Sequence, residues 1–206
     1  MRMRTWVVAS LFSAGMATAA PADETPGTKV ITQLDAALMD VLQNADQLGF
    51  QGRVDRLSPA VDAAFDLPFM AEKSLGQHWS TLSDADQQRW RALSRQFSIA
   101  NFAANFDHWS HQTIDVVGEE PSAADTVLVK TRINDPKGET VEMNYRLRAT
   151  DGIWRIVDIY LKGTVSELAL RRSDYTALID REGFAGLTKT MQQKITDLGR
   201  GSAAND

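Results

Sequence analysis

The three histidines are the first residues to weigh for chemistry, because imidazole is the side chain most readily used as a metal ligand or proton carrier near neutral pH. His108-Trp109-Ser110-His111 spaces two of them three residues apart, a spacing that on a helix puts both on one face. A zinc site needs a third protein ligand and groups that orient the rings, and no HExxH or comparable pattern accompanies the pair. The pair therefore reads as polar surface at a helix terminus. His78, beside Trp79 just ahead of a helix start, reads as a packing or capping group. No metal site and no cofactor is expected.

Hydrolytic chemistry finds no better footing. No G-x-S-x-G elbow is present, and a chain without cysteine has no thiolate nucleophile. The glycines form neither a phosphate loop nor a dinucleotide fingerprint. Pairs of acids can be drawn from Asp151, Asp158 and others, but 27 acids in 206 residues make such pairs unavoidable. No catalytic residue is assigned. What remains is a surplus of apolar faces, and the elements that carry them follow from periodicity.

From Lys29 to Leu48 the residues Val30, Leu34, Leu38, Val41, Leu42 and Ala45 recur at steps of three and four. That spacing predicts a helix with one buried stripe, ended at Gly49. A shorter helix is expected from Gln51 to Phe65, with Ser58-Pro59 as a start signal. Asp66-Leu67-Pro68 opens another that runs from Phe69 to Leu75 and stops at Gly76. Ser83, followed by Asp84 and Asp86, caps a long helix with acids at its positive end. Its apolar face is unusually aromatic, with Trp90, Phe97, Phe102 and Phe106.

The period then changes to two. Strands are expected over residues 113–117, 125–134, 139–149 and 153–161, joined by turns at Pro121, at Asp135-Pro136-Lys137-Gly138 and at Asp151-Gly152. Strict alternation puts Ile153, Val157, Ile159 and Leu161 on one face of the fourth strand and Trp154, Ile156 and Tyr160 on the other. Helices over 166–181 and 184–198 close the chain. The predicted fold class is α+β: a curved four-stranded antiparallel sheet packed by helices on one side.

The N-terminus carries a different kind of signal. Met1-Arg2-Met3-Arg4 is a basic start, an apolar stretch runs to Met16, and Ala17-Thr18-Ala19 has the small-x-small form of a cleavage site. Residues 1–19 are therefore expected to be an export signal cleaved after about Ala19. A flexible mature N-terminus (20–28), one domain (29–198) and a disordered tail (199–206) follow. Loss of the two leader arginines takes the net formal charge from −5 to −7, the wrong sign for a nucleic-acid binder. Without cysteine there is no disulfide scaffold and no lipidated anchor. No later run reaches the roughly 18–20 apolar residues of a membrane span, so the mature chain is expected to be soluble and, having no oligomerisation signal, a monomer.

Several strings resemble a known family. Phe69-Met70-Ala71-Glu72-Lys73-Ser74-Leu75-Gly76-Gln77-His78-Trp79, followed by Gln87-Gln88-Arg89-Trp90, is similar to a conserved stretch of the MlaC family. These are periplasmic phospholipid-binding components of a lipid-transport system, also called toluene-tolerance auxiliary components of an ABC transporter. Tyr145-Arg146-Leu147-Arg148 and Gly152-Ile153-Trp154-Arg155-Ile156-Val157-Asp158-Ile159-Tyr160 resemble the family's hairpin. The segment from Lys162 to Tyr175 departs from the commonest family pattern and looks like the subfamily associated with hopanoid biosynthesis, termed HpnM-like.

The resemblance implies an apolar pocket between sheet and helices that buries the acyl chains of a phospholipid, or a hopanoid. The protein would shuttle this ligand between an inner-membrane Mla-type ABC transporter complex and an outer-membrane lipoprotein partner. Burial is the physical requirement: about 16 methylenes at roughly 0.8 kcal/mol each cost on the order of 13 kcal/mol in water. Phe97, Phe102, Val129, Ile133, Met143, Tyr145, Leu147, Val157 and Ile159 are the candidate lipid-binding residues, with Arg146, Arg148 or Arg155 at the mouth. Alternation alone leaves open which strand face meets the pocket. An enzyme or accessory factor of hopanoid or lipid metabolism, working through acids such as Asp158, is the alternative.

Overall fold

The computed structural model describes residues 25–203 apart from residue 139. The expected leader, the start of the mature chain up to residue 24 and residues 204–206 lie outside the described residues. Helices α1 (Pro26–Gln43), α2 (Ala45–Ala64), α3 (Leu67–Leu75) and α4 (Asp84–Asn105) precede the sheet, with a 3-10 turn at Gly76–Thr81. Strands β1 (Thr113–Ser122), β2 (Thr126–Asn134), β3 (Thr140–Thr150), β4 (Ile153–Leu161) and β5 (Val165–Ser166) follow, and α5 (Glu167–Ala203) ends the chain.

Local chemistry accounts for most boundaries. Thr25 caps α1 and Pro26 begins it, three residues before the expected start. The carboxylate of Glu119 on β1 accepts from the Thr28 amide at 2.9 Å, placing negative charge at the positive end of that helix. Asp66 and Ser83 cap α3 and α4 by accepting from the amides of Phe69 and Asp86. α1 ends at Gln43, ahead of the expected stop, and the expected break at Gly49 (φ 57°) stands as a non-helical kink between two helical segments of α2. The two expected closing helices are the two segments of α5, parted by a non-helical kink at Gly183 (φ 70°), and the second continues through residues 199–203, expected as a disordered tail. Gly76 has φ 55° and a Cβ there would stand 2.7 Å from Arg172 Nε. Both constraints select glycine at the end of α3.

The sheet is an antiparallel meander in the order β1-β2-β3-β4-β5. It has five strands, not the expected four. The fifth is two residues long, pairing Ser166 with Tyr160 and Val165 with Leu161, too short to leave a periodic signature. Pro121 lies within β1 instead of a turn; β1 is an edge strand, where a missing N–H is tolerated. Asp151 and Gly152 both take positive φ, the geometry of a two-residue hairpin that follows the twist of its strands.

The register of β3 with β4 corrects the alternation read from sequence. Tyr145 pairs with Ile159 and Arg146 with Asp158, but Leu147 pairs with Ile156, so Val157 is the extra residue of a bulge. A bulge shifts the faces of everything beyond it. Ile156 therefore joins the inner face with Ile159, Trp154 packs against the same core, and Ile153 is exposed.

Candidate functional site

Two apolar clusters fill the protein. The larger lies between the inner face of the sheet and α1, α2 and the C-terminal half of α4. The smaller joins α3, the N-terminal half of α4 and α5 around Trp90, which is fully buried. Trp90 Nε1 donates to the Ala71 carbonyl at 3.0 Å, and Tyr175 meets its ring edge-on at 5.2 Å. That tryptophan fixes α3 and α5 against α4.

The sequence-derived site residues divide between these clusters. Val129, Tyr145 and Leu147 are fully buried in the larger one, together with Met143, Ile159 and Phe102, and Ile133 packs against it from the sheet's end. These seven converge, which assigns the inner face of the strands. Val157 is buried but does not belong to the cluster; the bulge puts Ile156 in its place. Phe97 packs against the smaller cluster instead, because it sits a helical face away from Phe102.

Phe97 marks the seam between the clusters. An enclosed cavity there is lined by Met70, Ser94, Phe97, Ser98, Leu168 and Arg171, among others, and measures about 20 Å³, room for about one water. It shares Phe97 with an open cleft of about 510 Å³ between the ends of α4 and α5. It shares Leu67 with a second cleft of about 390 Å³ beside α3, where Arg91, Arg95 and Arg155 face Phe65 and Pro68. The seam thus holds a small cavity, lined by serines and Arg171 as well as apolar residues, with wider clefts on both sides of α4. Arg171 lies over the Phe97 ring at 5.3 Å and donates to Glu167 at 3.2 Å. Ser94 Oγ is buried there without a hydrogen-bond partner among the described residues.

The charged groups near the hairpin have structural duties. Asp158, almost fully buried, accepts from the amides of Ile159 at 2.9 Å and Leu168 at 3.1 Å, from Ser166 Oγ at 2.7 Å and from Arg146 at 3.3 Å. It pins the start of α5 to β4, and its lone pairs are engaged, so it is a poor general base. Arg148 pairs with Asp66 at 3.1 Å and stacks over Phe69 at 4.1 Å. Arg155 lines the cleft beside α3, its buried Nε without a partner among the described residues. Of the three arginines proposed for the mouth, Arg155 lines this cleft.

His108 and His111 lie in the connection after α4, not on a helix, and His111 (φ 68°) stacks on Trp109 at 4.6 Å. His78 Nε2 stands 3.0 Å from Asp180, tying the 3-10 turn to α5. Among the described residues no three His, Cys, Asp or Glu side chains gather as a metal site.

Two buried polar residues, Arg53 and Asp35, were missed from sequence. Arg53 is fully buried and donates to the carbonyls of Ala103 at 2.9 Å and Ala45 at 3.2 Å. Asp35 lies on the apolar stripe of α1, and Tyr145 lies in β3 within the larger cluster. Burial raises the Asp35 pKa from 3.8 to about 7, and burial together with the Asp35 charge pushes Tyr145 up. The signal for Asp35 was available: it occupies the apolar stripe Ile31-Leu34-Leu38-Val41, where its carboxylate cannot reach solvent.

The architecture is a helix-backed antiparallel meander around an apolar interior. The family model described as "MlaC protein" matches residues 32–193, and the chain belongs to the MlaC family. No curated protein sequence matches it. Among solved structures, the phospholipid-binding protein from Ralstonia solanacearum, determined in complex with a phospholipid, has the same fold. It superposes with a TM-score of 0.70 at 20% identity, over 86% of this chain and 99% of that one.

Proposed function

We propose that this protein is a periplasmic lipid carrier, which buries the apolar part of a phospholipid or hopanoid between its sheet and helices. The observation that carries the reading is the apolar interior: a large cluster between sheet and helices meets a second along α4, with open clefts on both sides of that helix. A cavity of about 20 Å³ does not hold an acyl chain, so loading requires the helices to move away from the inner face of the sheet. Burial of roughly 13 kcal/mol of hydrocarbon supplies a driving force for that separation. Phe97, Phe102, Val129, Ile133, Met143, Tyr145, Leu147 and Ile159 then line the chains, with Ile156 taking the place first given to Val157. Arg155, in the cleft beside α3, is suited to an anionic headgroup at the mouth.

Membership of the MlaC family and the phospholipid held by the Ralstonia protein support this reading. Among the described residues no helix is long and apolar enough to cross a membrane, in keeping with a carrier that leaves one membrane for another. The N-terminal pattern supports export, with the mature chain beginning at Ala20. The HpnM-like segment from Lys162 to Tyr175 favours a hopanoid-linked branch of the family. The proposed partners are an Mla-type ABC transporter complex at the inner membrane and a lipoprotein at the outer membrane. Native mass spectrometry of gently released periplasmic protein tests both claims at once. The expected result is a chain starting at Ala20 that carries a lipid. A chain with no copurifying lipid that also takes none up from mixed phospholipid vesicles overturns the carrier reading.

A further inference from the structure

The cleft beside α3 carries positive charge that the fold does not use. The chain as a whole is acidic, with 27 Asp and Glu against 22 Lys and Arg. Yet Arg91, Arg95 and Arg155 line this cleft of about 390 Å³ together with only two acids, Asp62 and Asp66. Both acids are engaged. Asp62 accepts a two-point pair from Arg95, at 2.7 and 2.6 Å. Asp66 accepts from the Phe69 amide and from Arg148, each at 3.1 Å. Arg91 and Arg155 are left with no carboxylate partner among the described residues. Arg91 rests over the Trp79 ring at 4.9 Å, and the buried Nε of Arg155 has no acceptor among the described residues. The strand register adds a penalty: Arg155 on β4 stands directly opposite Arg148 on β3, and like charges at paired positions of an antiparallel ladder repel.

From this we infer that Arg91 and Arg155 form an anion subsite at the edge of the apolar interior, which takes the phosphate or carboxylate of a guest with a net-negative headgroup. The inference rests on the carrier reading above and narrows its ligand class by the charge of the head. A guanidinium presents its N–H donors in a planar fork that matches two oxygens of an oxyanion, and an oxyanion supplies the acceptor that Arg155 lacks. The floor of the cleft is apolar: Phe65 belongs to the larger cluster and Leu67 packs against it. An amphiphile with its oxyanion on the arginines therefore has its first carbons on hydrocarbon. A zwitterionic head fits less well, because its ammonium finds both acids of the cleft already paired and is repelled by Arg91 and Arg155. A neutral head leaves the two guanidiniums uncompensated.

The test titrates dioctanoyl phosphatidylglycerol, dioctanoyl phosphatidylethanolamine and dioctanoylglycerol into delipidated mature protein, so that the chains are constant and only the head differs. Wild type is expected to bind the phosphatidylglycerol at least about tenfold tighter than the phosphatidylethanolamine, the order of one hydrogen bond to a charged group. That ratio is expected to shrink as salt rises. Arg91→Gln and Arg155→Gln are each expected to lower it, and the double variant to bring it to about one. Arg155→Gln also relieves the repulsion with Arg148, so it is expected to unfold at a urea concentration no lower than wild type, which separates lost preference from lost fold. A wild-type ratio of about one or less, or a preference that survives in the double variant, overturns the subsite; binding of dioctanoylglycerol in the same experiment leaves the carrier standing. Inorganic phosphate added alone, followed through the Arg155 Nε–H resonance, distinguishes a headgroup from a free ion. Saturation only at millimolar phosphate supports the headgroup, and saturation at micromolar phosphate makes this a free-phosphate site and overturns it. If wild type binds none of the three lipids, the carrier reading fails and the subsite fails with it.

Discussion

Replacing Asp35 with asparagine keeps the shape of the side chain and removes its ability to ionise, which isolates what its burial costs. In the unfolded chain the carboxyl titrates near 3.8, and in the folded protein near 7. The folded state therefore keeps a proton that the unfolded chain has already lost across the window between about pH 4 and pH 7. Stability falls as pH rises through that window, and levels off above about 7 where both states are ionised. At about 1.4 kcal/mol for each tenfold in a protonation equilibrium, the full penalty is roughly 4 kcal/mol. Near pH 4 wild type and Asp35→Asn are expected to unfold at similar urea concentrations. By pH 8 the variant is expected to be the more stable by roughly 4 kcal/mol, with the urea slope unchanged, so that the midpoint alone moves. Other carboxylates titrate equally in both proteins and cancel in the difference. A difference that stays flat from pH 4 to pH 8, or that is larger at the acid end, refutes the claim that Asp35 is buried and unpaired.

Two further outcomes follow from the packing. Trp90→Phe keeps a ring between α3 and α5 but loses the bond to the Ala71 carbonyl, and is expected to cost about 1–2 kcal/mol in chemical denaturation. Trp90→Ala opens the smaller cluster and is expected to cost about 3–5 kcal/mol; a loss under about 0.5 kcal/mol for both would contradict the role given to this residue. Asp158→Ala strands two amides, Ser166 Oγ and Arg146 together, and is expected to cost about 3 kcal/mol. Its lipid content per folded molecule should equal that of wild type; an unchanged stability with a lost enzymatic turnover would instead support catalysis by Asp158.

Local chemistry was legible without the fold. The cap at Ser83, the helix opening at Asp66-Leu67-Pro68, the stop at Gly76 and the Asp151-Gly152 hairpin each depend on neighbours a few residues away. The switch from a helical to a strand period near residue 113 depends on them too, and all five stand in the structure. The absence of cysteine and the acidic charge bounded the chemistry in the same way, before any fold was known. Periodicity was less reliable wherever one residue changes the count. The bulge at Val157 inverts the faces of Trp154 and Ile156, and nothing local announces it, because it is defined by the partner strand. β5 is invisible for a related reason: two residues carry no period, and only Tyr160 and Leu161 across the sheet make them a strand.

The candidate site shows the same division. An aromatic α4 was plain from sequence, but Phe97 and Phe102 serving different clusters follows from α5 packing on one side of that helix and the sheet on the other. Asp35 was readable as an acid on an apolar stripe. That no partner from another element reaches its carboxylate was not. Burial and pairing of distant residues are properties of the packed whole, and only the tertiary structure decides which polar atoms are left for a guest.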